Sequence, residues 1–500
     1  MLFRNRIEEL FLRTEDLRLL ELTEYLNAKD DWVPAKVIAD HLECSTQTVY
    51  IYVEKLEQLI EHEKWPLEVE VFKSKGVRLR AENVFYIGTV RQTLIKSAVI
   101  FKFFSACFHE TYHNSLTAFA DENYVSVPSI NSYLTEFQDK IEPYGVKVDR
   151  VNFKLIGDEN DIRHFAVIIY WGCSIGIEWP FVGVTRDSLM SYIEEYQQIF
   201  DIEYHNVARE KLLQRLAIVR IRTNKKHFIT DSTKLDELVH DHPYYHKVAE
   251  VHRDFFSMLS GENRQLESMY LFALFQTFPF FEDNSSYVNA NILFHRMNNT
   301  ASWQMTNRFV EGFVETYPME EHLIRTSGVL GYLLFLQTRL LMYPAVQPNY
   351  HSKEFAILQK DYPLFMKNIS GIVEKMYVAQ GESVPSNKTA FFLQRVAHLL
   401  TAVASMRKYE PRVYVLVLSQ DNQIFENSYE VILAQSFNYN FFFLDKLEKH
   451  HEYDLIISDS YYPEVEDAKK LIYWSPAYDN ATWKQLDNKL AAVRDAKLEG

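Results

Sequence analysis

Turn-forming residues and cysteine are what this 500-residue chain has least of, with 14 Gly, 15 Pro and 3 Cys. Scarce Gly disfavours a fold of many strands joined by tight turns, which need backbone of positive φ. Cys44, Cys107 and Cys173 include no CxxC pair, which excludes a disulfide scaffold and fits a reduced cytoplasm. Long apolar runs are missing too. The most apolar, Val329 to Leu336, leads into Gln337, Thr338 and Arg339, so no membrane span is expected. Met1 to Asn27 lacks the apolar core of a signal peptide and reads as one acidic amphipathic helix. Bases are outnumbered, 53 Lys and Arg against 68 Asp and Glu, for a net charge of −15. A broadly basic nucleic-acid coat is thereby disfavoured, and any DNA contact must come from local patches.

Aromatic residues are plentiful, 31 Tyr and 35 Phe, in a chain that is 47% hydrophobic. Such a chain can bury sizeable cores, and its length calls for several domains. Few turn residues and long Leu/Phe/Tyr spacing predict a mainly α, multidomain protein.

The first informative feature is a repeat at an offset of 81 residues. Ala39-Asp40 recurs as Ala120-Asp121 and Ser45 as Ser126, followed by Thr48/Ser129, Val49/Ile130, Val53/Leu134 and Leu56/Phe137. Each copy predicts a short helix (34–42; 115–121), a turn, and a second helix (46–62; 128–141) with apolar residues every three or four positions. Ser45 and Ser126 stand where an N-cap is wanted, and Pro128 falls in the first turn. A hairpin follows each: 69–72 and 77–80 around Lys73-Ser74-Lys75-Gly76, and more weakly 146–149 and 151–155. Helix, turn, helix and hairpin is the winged helix-turn-helix pattern, whose second helix enters the major groove.

Copy one has the better chemistry for reading DNA. Ser45, Thr46, Gln47, Tyr50 and Lys55 are its candidate contacts on the second helix; Gln suits an adenine edge and Thr a thymine methyl. Lys73, Lys75, Arg78 and Arg80 form a run of cations without an intervening acid, suited to phosphate. Copy two offers Ser129, Asn131, Ser132 and Thr135, with Gln138, polar but almost uncharged.

From 166 to about 408 the chain predicts helix after helix. Leu216 to Arg222 and Leu333 to Arg339 are apolar helices that both end in Arg, a second and fainter repeat. Two all-helical modules, 166–290 and 291–408, would meet near Asn284 to Asn299. His240, His242, His246 and His252 lie close in sequence, and His240-Asp241 is the kind of pair that metal phosphohydrolases use. A solvated helix start is the plainer reading of that stretch. His227 follows two lysines after an apolar helix and reads as a solvent-facing, modifiable imidazole. His398 lies on a helix whose apolar stripe is Leu393, Val396 and Leu400, and projects away from it.

From Arg412 the texture changes. A buried-strand run, Val413 to Leu418, is followed by the loop 419–422, a helix at 424–435, strands at 440–444, 453–458 and 470–474, and a helix at 481–493. Alternating strands and helices predict a small parallel α/β sheet. The loop after its first strand holds neither a Gly-rich phosphate motif nor Cys, so this domain reads as an interaction or dimerisation module.

Ala39 to Val49, with the helix pairs at 34–60 and 115–141 and this order of domains, resembles the Mga/AtxA family of transcriptional regulators over nearly the whole chain. The resemblance implies winged helix-turn-helix domains at 1–86 and 87–165. It further implies two modules, 166–290 and 291–408, like the phosphotransferase-system regulation domains called PRDs, and an enzyme IIB-like α/β domain at 409–500. It implies a homodimer that binds double-stranded promoter DNA and answers to phosphocarrier proteins of the sugar phosphotransferase system through PRD histidines. His398 falls about where a PRD places an acceptor, and His227 is the nearest substitute in the first module. The expected protein is therefore a cytoplasmic DNA-binding transcriptional regulator without catalytic residues, metal or cofactor. The alternatives are a helical metal-dependent phosphohydrolase using His240 and Asp241, and a scaffold whose helix-turn-helix units dock proteins.

Overall fold

The computed structural model describes residues 7–29, 31–81, 85–174, 176, 178–277, 285–345, 352–381, 387–421, 423–444, 453–460, 470–474 and 480–499. They are mainly helical, as the scarcity of turn residues predicts. They divide into two compact units, one of residues 1–303 with 334–349 and one of 304–333 with 350–500.

The first unit opens differently from expectation. Instead of one helix to Asn27 there is a short turn of helix, Glu8–Phe11, then a break at Leu12 and Arg13 in extended backbone, then Thr14–Asn27. The break lets Phe11 turn inward, where its ring lies 5.3 Å from Phe101 and 5.5 Å from Phe137. The two helix-turn-helix pairs follow: Ala35–His41 with Thr46–Glu63, and Leu116–Glu122 with Val127–Ile141. Val49, Val53, Leu56 and Ile60 in one second helix, and Ile130, Leu134, Phe137 and Ile141 in the other, are buried as the period-3.6 spacing requires. The hairpins are β1 (Leu67–Phe72) with β2 (Gly76–Ala81), and β3 (Lys147–Asp149) with β4 (Lys154–Ile156), both antiparallel.

Two helices that the repeat does not announce, Phe85–Ser97 and Val99–His109, lie between the copies. The second of these carries a cluster of four phenylalanines. Phe103, Phe104 and Phe108 are wholly buried, and Phe103 stands 4.9 Å from Phe153 and 5.5 Å from Phe119. Aromatic rings placed edge-to-face add attraction beyond the area they remove from water.

Helices Glu159–Ser174, Asn206–Asn224 and Gly261–Gln276 build the rest of this unit around a buried ionic network. Arg163 donates to both oxygens of Glu267 (Nη1 to Oε2, 2.7 Å; Nη2 to Oε1, 2.9 Å) and to Glu159 Oε1 (2.8 Å). Arg222 donates to both oxygens of Glu159 at 2.9 and 2.7 Å. Within the Asn/Ser-rich stretch expected to join the two modules lies helix Ser286–Met297, capped by Ser285, with Asn291 turned inward on His242; Asn284 lies outside the described residues.

In the second unit the C-terminal sheet is parallel throughout, in the order β6-β5-β7-β8: β5 is Arg412–Leu418, β6 Asn440–Leu444, β7 Leu455–Ser458 and β8 Leu471–Tyr473. Val413, Val415 and Val417 pack with Leu433, Trp474, Leu486 and Leu490 from helices Gln423–Ser436 and Asn480–Glu499 and the chain beyond β8. The loop after β5 is filled by the chain itself: the Asp459 carboxylate accepts from the Ser419 hydroxyl (2.9 Å) and the Gln420 N–H (2.9 Å). Asn422 of that loop lies outside the described residues.

The ionic network yields a test of stability. Removing one partner of a buried pair leaves an uncompensated charge, so Glu267→Gln should lower unfolding free energy by about 3 to 5 kcal/mol in urea titrations. Burial pushes the Glu159 carboxyl up, but Arg222 and Arg163 outweigh it and hold it below the usual carboxylate range. A depressed folded value contributes stability above the unfolded value of about 4.3 that is lost as pH falls through the folded one. The unfolding midpoint should therefore drop on acidification from pH 5, and drop less in Glu159→Gln.

Candidate nucleic-acid interface

Helix Thr46–Glu63 starts at Ser45, whose hydroxyl accepts from the Thr48 N–H at 3.0 Å and contacts the Thr48 hydroxyl at 2.7 Å. Ser45 thus serves the helix end as its spacing predicts. With Val49, Tyr52 and Val53 inward, Thr46, Gln47, Tyr50 and Lys55 are exposed as expected. Ile51 shares the exposed face and went unrecognised in the sequence, although an exposed Ile suits a thymine methyl as Thr does. Lys55 is engaged by Glu15 at 3.0 Å, and that cation holds the Glu15 carboxylate below its ordinary range.

The first hairpin is pinned to the turn before the first helix of its pair. Val33 and Val77 exchange both backbone hydrogen bonds, 2.8 and 2.9 Å. Gly76 has φ +111°, and a Cβ there would lie 2.0 Å from the Val33 carbonyl oxygen, so only glycine fits. Lys73 and Lys75 are exposed at the tip, and Lys75 lies over the Trp32 and Phe72 rings at 5.7 and 5.9 Å. Arg78 and Arg80 differ from the open cation run expected. Glu70 on β1 stands opposite Arg78, accepts a hydrogen bond from its Nε at 2.7 Å, and is ion-paired with Arg78 Nη2 at 2.5 Å and Arg80 Nε at 3.3 Å. The sequence carried the signal in the hairpin register, which sets 70 against 78.

The second copy repeats the frame with less charge. Ser126 caps its helix by accepting from the Ser129 N–H at 3.2 Å. Ser132 and Thr135 are exposed, while Ser129 and Asn131 are half-buried. Thr135 donates to the Asn131 carbonyl and accepts from Arg150 at 3.0 Å, so two of the polar candidates are already tied together. Gln138 faces the hairpin, receiving the Val148 N–H at 2.9 Å. In both turns one residue has a left-handed backbone at the 81-residue offset: Glu43, φ 51°, and Tyr124, φ 55°.

The histidines part company. His240 is exposed beside Asp241, whereas His242 and His252 are buried and held neutral by burial, with values pushed down to about 4 and about 3. They belong to the aromatic core, not to a solvated helix start, and among the described residues no three His, Cys, Asp or Glu side chains group as a metal site would need. His227 is partly buried rather than solvent-facing; its Nε2 meets Glu110 Oε1. Glu110 also lies 3.4 Å from Lys154, and although burial opposes it, these partners hold the carboxylate below its usual range. His398 lies half-buried on helix Asn387–Val403. No helix among the described residues is long and apolar enough to cross a membrane.

A helix-turn-helix domain model matches residues 18–78, and residues 83–170 match a second model, the Mga helix-turn-helix domain. The chain carries an Mga helix-turn-helix domain. The likeness extends beyond it to the Mga-type regulators of Bacillus anthracis. Its capsule synthesis positive regulator AcpB is 19% identical over 366 residues, 70% of this chain and 74% of that protein. The anthrax toxin expression trans-acting positive regulator is 21% identical over 241 residues, 48% of this chain and 49% of its own length. Capsule synthesis positive regulator AcpA is 22% identical over 233 residues, 47% of each chain. The resemblance to Mga/AtxA regulators, read from residues 39–49 and the paired helices, is therefore found in the relatives. The Mga domain ends within helix Glu159–Ser174, which carries Arg163 into the ionic network, so domain and helical body share one helix.

The hairpin geometry predicts that Gly76→Ala disorders the first wing. It should lower the melting temperature and remove protection of the Val77 amide in hydrogen exchange, while Gly371→Ala, on a helix with nothing near its Cβ, leaves that protection unchanged.

Proposed function

We propose that this chain is a DNA-binding transcriptional regulator in which the first winged helix reads the duplex. The observation that carries this reading is one exposed helix face, Thr46, Gln47, Tyr50 and Lys55, beside a hairpin that offers Lys73 and Lys75 to phosphate. The relatives' printed names, positive regulators of capsule synthesis and toxin expression, point the same way. Ser129, Asn131, Ser132 and Thr135 of the second copy add weaker, uncharged contacts; in the first copy Ser45 caps the reading helix, while Arg78 and Arg80 are engaged by Glu70. Acidic residues outnumber basic ones, so a single chain binds weakly; a homodimer would place two pairs of winged helices on one duplex and add their contacts through effective concentration. The C-terminal sheet, with its loop occupied by Asp459, is suited to association.

Regulation by phosphocarrier proteins enters the reading through His227 and His398 in PRD-like modules. Support for His227 comes from its partner: a phosphoryl group adds about 1.5 to 2 negative charges, here directly against Glu110 of the Mga domain. Repulsion would break this contact between the helical body and the Mga domain and alter how the domain is held at that point.

Lys73→Glu with Lys75→Glu should weaken binding to every duplex and flatten its salt dependence, because each phosphate contact releases counterions. Gln47→Ala should relax preference at one base position only. Filter binding against a random-sequence pool checks both, and unchanged affinity in both variants would remove the first winged helix as the reader. For regulation, His227→Asp should shift promoter-reporter output across carbon sources and His227→Ala should abolish that response. The same pair at His398 tests the second module.

A further inference from the structure

We infer that Glu70 is a specificity-determining residue of the first winged helix: it holds Arg78 and Arg80 away from DNA phosphate and so suppresses binding that ignores sequence. The inference rests on the DNA-binding reading above. Three observations combine. Glu70 lies across the hairpin from Arg78, whose Nε donates to Oε2 at 2.7 Å with Nη2 2.5 Å from the same oxygen in an ion pair, and Arg80 Nε approaches Oε1 at 3.3 Å. The Arg78 guanidinium is also stacked over Trp32 at 4.7 Å, so it is held on two sides. Lys73 and Lys75, at the tip of the same hairpin, are exposed and lie beyond this carboxylate's hold.

A phosphate approaching the wing must therefore compete with a carboxylate already seated in the arginine fork. Non-specific affinity is almost wholly electrostatic, whereas base contacts from Thr46, Gln47 and Tyr50 do not depend on these arginines. Internal neutralisation of two cations thus subtracts mainly from the sequence-independent part of binding and leaves the ratio of specific to non-specific affinity larger.

Glu70→Gln keeps the shape and removes the charge. Its binding, in the full-length chain, is compared with the parent on a random-sequence duplex and on a duplex the parent selects from a random pool. The variant should bind the random duplex about three- to ten-fold more tightly at low salt, with a salt slope steeper by about one unit for each arginine released. Its preference for the selected duplex should fall by a similar factor. Glu68→Gln, exposed and opposite Arg80 in the register but in no ion pair with it, removes an equal charge without breaking an arginine's ion pair and should leave the slope unchanged. An unchanged slope in Glu70→Gln, or an equal gain in Glu68→Gln, overturns the inference. If Lys73→Glu with Lys75→Glu still weakens the parent's binding in that case, the DNA-binding reading survives it. If that pair too has no effect, both fall together.

Discussion

Arg163 decides how the first unit is built. An arginine cannot shed its charge at any ordinary pH, and this one is almost wholly removed from water. Its guanidinium must therefore be met on all sides, and it is: Glu267 takes two of its hydrogen bonds, Glu159 another, and the His227 carbonyl oxygen a fourth at 3.1 Å, with the Tyr270 ring 4.9 Å away. Glu267 also accepts the Ile229 N–H, so one carboxylate fixes both an arginine and the chain that follows the helix ending at Asn224. Three helices and one extended segment have a single mutual arrangement in which every one of these groups is satisfied. A body held by such a network resists sliding, because each displacement strands a charge.

That constraint reaches the DNA-reading end through continuity of chain. Helix Glu159–Ser174 closes the Mga domain and carries two members of the network, so the domain has no free hinge against the helices that follow. The first copy is joined to the second by packing: Phe11 enters the aromatic cluster and Lys140 donates to the Glu9 carbonyl at 2.6 Å. Phe11, Phe101, Phe104 and Phe137 fill the space between the copies. Against that frame, His227 and Glu110 form a polar contact at the margin of the network.

The electrostatics of the reading face follow from an acidic chain. With a net charge of −15, cations offered to DNA lie among carboxylates, and several are already engaged. Lys55 meets Glu15, and Arg78 and Arg80 meet Glu70, while Arg150 is turned onto Thr135. Each of these ion pairs lowers the positive charge that this face presents to solvent.

What could be read from sequence was local. The caps at Ser45 and Ser126, the helix pairs, the first hairpin and the strand run at Val413 to Leu418 all depend on neighbours within a few residues, whose spacing encodes helix or strand directly. The outward face of Thr46, Gln47, Tyr50 and Lys55 was legible for the same reason. The break at Arg13, the burial of His242 and His252, and the partners of Arg78 and His227 were not. Arg163 and Glu267 are 104 positions apart, and His227 and Glu110 are 117 apart. Periodicity says which side of an element faces inward, but a charge has many possible partners, and only the packed structure, which must leave no buried charge unmet, selects among them.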